Sequence, residues 1–237
     1  MIANMLDIAS SVATRLRAAL QQLPPEVRLL AVSKTFGADV VKATWDAGQR
    51  AFGENYVQEA IAKIDALASI RSGIEWHLIG PLQSNKTAVV AENFDWVQTI
   101  DRLKIAQRLN DQRPAHLPAL NVCIQVNVDG GMTKSGVDCT TSPEAALDLA
   151  RQMEGLERLA LRGLLAVPEP ELDAVKEQAV FTKVKAVFDF LNANLDASRQ
   201  LDTLSMGMSA DFEAAIAAGS TMVRVGSAIF GKRQYAA

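Results

Sequence analysis

Leu29-Leu30-Ala31-Val32-Ser33-Lys34 is four apolar residues, a serine and one lysine, followed by Thr35-Phe36-Gly37 and a new helical pattern from Asp39. So short an apolar run, stopped by a turn and then a helix, reads as a buried strand whose last side chain emerges at a strand-to-helix turn. Lys34 is the residue to explain. Taken by itself it is better explained as a solubilising strand end than by chemistry, and the rest of the chain has to decide.

Outward from this strand the same unit recurs. Residues 3 to 22 carry apolar side chains at spacings of three and four and stop at Leu23-Pro24-Pro25, a leading amphipathic helix over residues 1–24. After Lys34 come a helix ended by Gly48, a strand Arg50-Ala51-Phe52-Gly53-Glu54-Asn55 and a helix from Tyr56 to about Ile70. The third strand runs from Ile74 to Gly80, with a helix from about Asn85 to Glu92, and the fourth from Trp96 to Ile100, with Asp101 as the expected N-cap of the next helix. Ala119 to Val128 is the fifth; a loop from Asp129 to Thr141, with three glycines, delays the following helix to Pro143. Leu161 to Val167 is the sixth, followed by a helix from about Asp173 to Asn194 whose Phe181, Val184, Val187, Phe188 and Leu191 form a core stripe. Asp202 to Ser205 and Thr221 to Val225 are the seventh and eighth.

Short apolar strands alternating with helices predict a parallel sheet covered by helices. Eight units in 237 residues favour a closed (β/α)8 barrel, over residues 29–231 of a single domain, above an open doubly wound sheet, and no Gly-x-Gly-x-x-Gly follows the first strand. No sequence repeat beyond the unit and no linker tract divides the chain.

Hydrophobic residues at 49% and charged residues at 22% suit a globular protein with a large core, which excludes wholesale disorder. The net charge is −3 and neither end carries a basic run, so no nucleic-acid footprint is expected. The first residues lack a basic stretch and Asp7 interrupts their apolar positions, and no run approaches the roughly 18 residues of a membrane span. Cys123 and Cys139 suit reduced thiols better than a disulfide framework, and two histidines make a polyhistidine metal site improbable. The expectation is a cytoplasmic protein without membrane partners or metal.

In a barrel, the residues at the strand C-termini converge on one face. Here that gathers Lys34, Glu54 and Asn55, His77 and Gly80, Asn127 and Lys134, the Ser205-Met206-Gly207-Met208-Ser209 segment, and Arg224-Val225-Gly226-Ser227. The last two segments offer glycines for close approach and hydroxyls or helix starts as donors, at the barrel position where phosphate sites recur. A lysine facing a phosphate site suggests a Schiff base, since desolvation and neighbouring positive charge free its lone pair. Pyridoxal phosphate is the phosphorylated aldehyde proteins hold in this way. Sugar-phosphate lyase or aldolase chemistry competes, with only Glu54 and His77 as acid/base partners. His77, inside an apolar strand, is also read as a core histidine, and Asn55 as a helix cap.

Five blocks in order resemble the pyridoxal phosphate homeostasis proteins. They are Ala31-Val32-Ser33-Lys34, Phe52-Gly53-Glu54-Asn55, Trp76 to Lys86, Leu204 to Phe212, and Arg224 to Gly231. The resemblance implies the barrel of the alanine racemase N-terminal domain, with Lys34 as the aldimine lysine, the segments after the seventh and eighth strands on the phosphate, and Arg224 at the pyridine nitrogen. It implies cofactor contacts from Lys34, Asn55, His77, Ser205, Met206, Gly207, Ser209, Arg224, Gly226 and Ser227. An always-protonated arginine at the ring nitrogen weakens the cofactor as an electron sink.

Racemases of the related fold carry a second, β-rich domain and an opposing tyrosine from the partner subunit. This chain ends six residues after Gly231 and has only Tyr56 and Tyr235, so no second base is evident. The resemblance implies a non-catalytic carrier, expected to be a monomer, that passes pyridoxal phosphate to cofactor-dependent apoenzymes. An amino-acid racemase-like enzyme is the alternative. Lys86 and Lys134 are the places where a second ligand could bind.

Overall fold

The structure is a computed structural model that describes residues 2–130, 135–169 and 173–231, with side chains from residue 9 onward. Helix α1 (Ile2–Gln21) precedes β1 (Arg28–Val32), α2 (Ala38–Asp46), β2 (Ala51–Glu54), α3 (Val57–Ala66), β3 (Glu75–Leu78), α4 (Thr87–Asn93), β4 (Trp96–Ile100), α5 (Leu103–Gln112) and β5 (Leu120–Asn127). Then come β6 (Val137–Asp138), α6 (Glu144–Gln152), β7 (Leu159–Ala166), α7 (Ala174–Asn194), β8 (Thr203–Met208), α8 (Phe212–Ala217), β9 (Met222–Val225) and α9 (Ser227–Phe230).

All pairings are parallel. The order β4-β3-β2-β1-β9-β8-β7-β5 closes through β4 against β5, giving the expected eight-stranded barrel, with the two-residue β6 attached outside β5. In register, Ala31 faces Phe52 on β2 and Val225 on β9.

Strand alternation divides the side chains into two cores. Leu29, Ala31, Phe52, Trp76, Leu78, Val97, Val122, Leu164, Leu204, Met206, Val223 and Val225 belong to one large cluster shared with the helices. Leu30, Ala51, Met222, Trp96, Cys123 and Leu165 form two small clusters joined by Ile79 inside the barrel. Burial on both faces is why the strands read as continuous apolar runs rather than alternating ones. The α7 stripe Phe181, Val184, Val187, Phe188 and Leu191 is buried as expected, each side chain contributing roughly 1.5–3 kcal/mol of transfer free energy. Asp173 caps this helix by accepting from the amides of Val175 and Lys176 at 2.8 and 3.4 Å.

Three local expectations change. Asp101 is not a cap: α5 begins at Leu103 without a side-chain cap, and Asp101 pairs with Arg102 at 2.7 Å. The loop after β5 is not wholly irregular, because Val137 and Asp138 pair with Val126 and Asn127. The seventh predicted strand, expected to end at Ser205, runs on to Met208, so Met206 and Gly207 lie within β8 rather than beyond it.

Candidate functional site

Lys34 follows β1, half-buried, in a turn closed by the Phe36 amide donating to the Ser33 carbonyl at 3.1 Å. Thr35 is the one described non-glycine residue with positive φ, at 70°, a conformation that costs a β-branched residue on the order of 1–3 kcal/mol. Such a cost persists only where surrounding contacts impose it.

Lys34 lines a cleft of about 310 Å3 with Val32, Asn55, Ile79, Val167, Met208, Ser209, Ala210, Arg224, Gly226 and Ser227. That volume is at the small end of the roughly 300–1,000 Å3 usual for small-molecule sites. Every lining residue stands at or beyond the C-terminal part of a strand. Two larger hollows, of about 410 and 970 Å3, lie at the other ends of the strands, around Leu159 to Leu161 and around Ile74 and Asn121, and contain none of these groups.

Asn55 leaves β2 with its Oδ1 buried and without a hydrogen-bond partner among the described residues. A buried acceptor left unsatisfied costs about 1–3 kcal/mol, which a ligand donor would recover. The Asn55 backbone is set by Gly80, where an added Cβ would stand 2.1 Å from the Asn55 carbonyl oxygen. Gly80 is in turn tied to β4 by the Thr99 hydroxyl, which donates to its carbonyl at 2.8 Å.

Arg224 is almost fully buried. Its Nη1 donates to the Ser205 carbonyl at 2.8 Å and the Ser205 hydroxyl at 3.0 Å, and its Nη2 to the Ala166 carbonyl at 2.9 Å. Burial pushes the guanidinium down to about 10, with Asp211 opposing the shift, so it stays charged near neutral pH. Nε is the guanidinium nitrogen without a protein partner among the described residues. Ser209 Oγ accepts from the Gly226 amide at 3.3 Å, which leaves the serine proton free to donate. Gly207, at φ 93°, lets β8 bend past α8: a Cβ there would come within 2.6 Å of Ala215 Cβ. Asp211 Oδ1 takes the Met208 amide at 2.5 Å, so that donor is already used.

Of the residues expected at the site, Lys34, Asn55, Ser209, Arg224, Gly226 and Ser227 share the cleft. Ser205 stands one layer beneath, holding Arg224. Met206 faces outward into the helix-covered core, and Gly207 packs against α8. The structure does not bring His77 to the cleft: it is fully buried, stacked on Trp96 at 5.1 Å, with Nε2 on Glu75 Oε1 at 2.7 Å and Nδ1 facing Gln98 Nε2 at 2.8 Å. Burial pushes its pKa down, against Glu75. Glu54 is buried on the helix side of β2 against Lys63, away from the cleft. Lys86 ends a 3-10 turn over Ser84–Lys86 and does not line the cleft, and Lys134 lies outside the described residues. The apolar walls Val32, Ile79, Val167 and Met208 carry no chemical signal in sequence; inward alternation alone could have found them.

The cleft therefore holds an amine, a buried guanidinium, an amide with an unsatisfied oxygen, and serine hydroxyls beside glycine. This donor set fits a compact anionic aldehyde. No group of three or more metal-ligating side chains occurs among the described residues.

The barrel is of the alanine racemase N-terminal domain class, whose family profile matches residues 9–234. The chain is 51% identical to the pyridoxal phosphate homeostasis protein of Escherichia coli K12, over 99% of this chain and 96% of that one. It is 50% identical to the protein of the same name from Pseudomonas aeruginosa, over 100% and 99%. The chain belongs to the pyridoxal phosphate homeostasis protein family. PipY of Synechococcus elongatus, solved with pyridoxal phosphate bound, superposes with a TM-score of 0.83 at 37% identity, over 93% of this chain and all of that one. An alanine racemase of Clostridium difficile, 16% identical, shares the fold with a TM-score of 0.73, and this chain spans 58% of its length.

Proposed function

We propose that this protein binds pyridoxal phosphate in the Lys34 cleft and supports its homeostasis by holding and handing on the cofactor. The observation that carries the reading is the meeting of Lys34, the buried Arg224 and the unsatisfied Asn55 oxygen in one small cleft. The names of the relatives and the cofactor bound in PipY support it.

When bound, pyridoxal phosphate supplies an aldehyde that exchanges its oxygen for a primary amine with release of one water. Lys34 provides that amine. Arg224, pinned by Ser205 and Ala166, would hold the ring nitrogen with a positive charge that disfavours its protonation. The Ser209 and Ser227 hydroxyls, beside Gly226, provide phosphate donors. Asn55 would hold the cofactor through its buried oxygen, and Val32, Ile79 and Val167 would give it apolar walls.

The reading is of a carrier rather than a catalyst. Its support is the name of the relatives, pyridoxal phosphate homeostasis protein. The recipients are apoenzymes that use the cofactor, in the cytoplasm, where the two buried, unpaired cysteines stay reduced. The protein acts as a single copy, a reading supported by the scatter of the large apolar side chains exposed among the described residues, Leu20, Tyr56, Val167 and Val175.

The test mixes loaded protein with an apoenzyme and, separately, with alanine. Restoration of the apoenzyme's activity without alanine racemisation is expected. Racemisation at enzyme-like rates, with the cofactor retained, would overturn the carrier reading.

A further inference from the structure

Behind the barrel wall, on the helix side of Lys34, lies a group of charges that the proposed function does not use. Lys63 of α3 and Glu54 of β2 are both buried and 2.7 Å apart. Lys63 Nζ also donates to the Ser33 carbonyl at 2.8 Å and to Glu59 Oε1 at 2.7 Å. The Ser33 hydroxyl donates to Glu54 Oε1 at 2.6 Å, and the Thr35 amide donates to Glu59 Oε1 at 2.6 Å. Glu54 Oε2 has no partner.

A buried ion pair is a poor stabiliser, since desolvation offsets the attraction and apolar side chains of the same volume often do as well. What apolar residues could not do is bind three polar atoms of the segment 33–35. Those atoms are the Ser33 hydroxyl, the Ser33 carbonyl and the Thr35 amide, immediately before and after Lys34. Glu59 also accounts for the left-handed backbone of Thr35, because it accepts the amide which that conformation turns toward α3. Glu54 directly precedes Asn55, and its carbonyl accepts the Ile79 amide at 2.9 Å, so the same residues set both polar walls of the cleft.

We infer that Glu54, Glu59 and Lys63 are positioning residues for Lys34, clamping the backbone on both sides of it so that its amine meets a bound aldehyde. None of the three touches the cleft; they act through Ser33 and Thr35. The inference rests on the reading of Lys34 as the covalent anchor of pyridoxal phosphate. It deepens that reading by explaining why a fold with ample apolar core keeps ions here.

The experiment compares the full chain with Glu59→Ala, Glu59→Gln, the neutral pair Glu54→Gln/Lys63→Met, and Lys34→Ala. Each apo-protein is melted, loaded with saturating pyridoxal phosphate, reduced with borohydride and weighed intact, which gives the fraction of chains carrying covalently attached cofactor. Release into an excess of a competing amine is timed as well. Glu59→Ala should fold with a nearly unchanged melting temperature, carry a smaller covalent fraction at saturation, and release cofactor on the order of tenfold faster or more. Glu59→Gln, which keeps an acceptor for Thr35, should restore most of both. The neutral pair should behave as Glu59→Ala does; if it fails to fold, the two Glu59 variants decide. Unchanged covalent fraction and release rate in Glu59→Ala, whatever happens to its melting temperature, would overturn the inference and leave the network a purely structural one. A wild-type protein with no covalent adduct, or an equal adduct on Lys34→Ala, would instead overturn the anchor reading.

Discussion

Gly80→Ala is the substitution whose consequence follows most directly from the geometry. Its Cβ would lie 2.1 Å from the Asn55 carbonyl oxygen and 2.7 Å from Asn55 Cα, where ordinary contact begins at 3.4 Å. Asn55 or the end of β3 has to yield by about 1.3 Å. β3 is the less free to move, because the Ile79 amide is bonded to Glu54 and the Gly80 carbonyl to Thr99. The shift therefore falls on Asn55, out of its place in the cleft wall. Overpacking of this kind costs about 1–3 kcal/mol, a fall in melting temperature of about 2–4 °C for each kcal/mol in a chain of this size. Displacement of a positioning group by an ångström is worth on the order of 10²-fold, so affinity for pyridoxal phosphate should drop by about that factor in a protein that still folds. The assay pairs thermal melting of the apo-protein with a titration followed by visible absorbance. A folded Gly80→Ala protein with wild-type affinity would refute the assignment of Asn55 as a wall of the cofactor site.

Two further outcomes are expected. Ser209→Ala should weaken cofactor retention in equilibrium dialysis by about ten- to a hundredfold, because a hydrogen bond to a charged group is worth roughly 1.5–3 kcal/mol, whereas Ser205→Ala should do less, since Arg224 keeps the Ser205 carbonyl. Equal losses would place Ser205 in direct contact with the cofactor. Acid should destabilise the fold in two ranges. Burial pushes the Glu75 carboxyl up, but the His77 hydrogen bond and Arg28 outweigh it and hold it at about 2, below its ordinary 4.5. A depressed carboxylate contributes stability above pH 4.5 that is lost as pH falls toward 2. His77, pushed below its ordinary 6.5 by burial, binds its proton more readily in the unfolded chain, so stability also declines as pH drops below 6.5. Melting temperature against pH should show both declines, and Glu75→Gln should flatten the lower one; an unchanged acid limb in that variant would contradict the assignment.

The barrel was legible because each strand is buried on both faces and so announces itself as a short apolar run, and because the helices between keep their own period. Lys34, Asn55, Ser209, Arg224, Gly226 and Ser227 were legible because a barrel brings strand ends together. Met206 and Gly207 were read as lying beyond the strand for a local reason: glycine between two serines looks like a turn, but here the segment continues β8 through a bend at Gly207, and it lines the cleft from Met208 to Ala210. His77 was one inner layer too low: alternation puts Ile79, two residues on, at the cleft. The clamp of Glu59 and Lys63 carried no signal, because their partners at 33 and 35 come from another element and only packing brings them together.

The central claim is that Lys34 itself carries the cofactor. Loading the protein with pyridoxal phosphate, reducing with borohydride and mapping the modified peptide tests it in one measurement. The account predicts a single stoichiometric modification on Lys34, absent after Lys34→Ala; a modification on another lysine, or none, would contradict it.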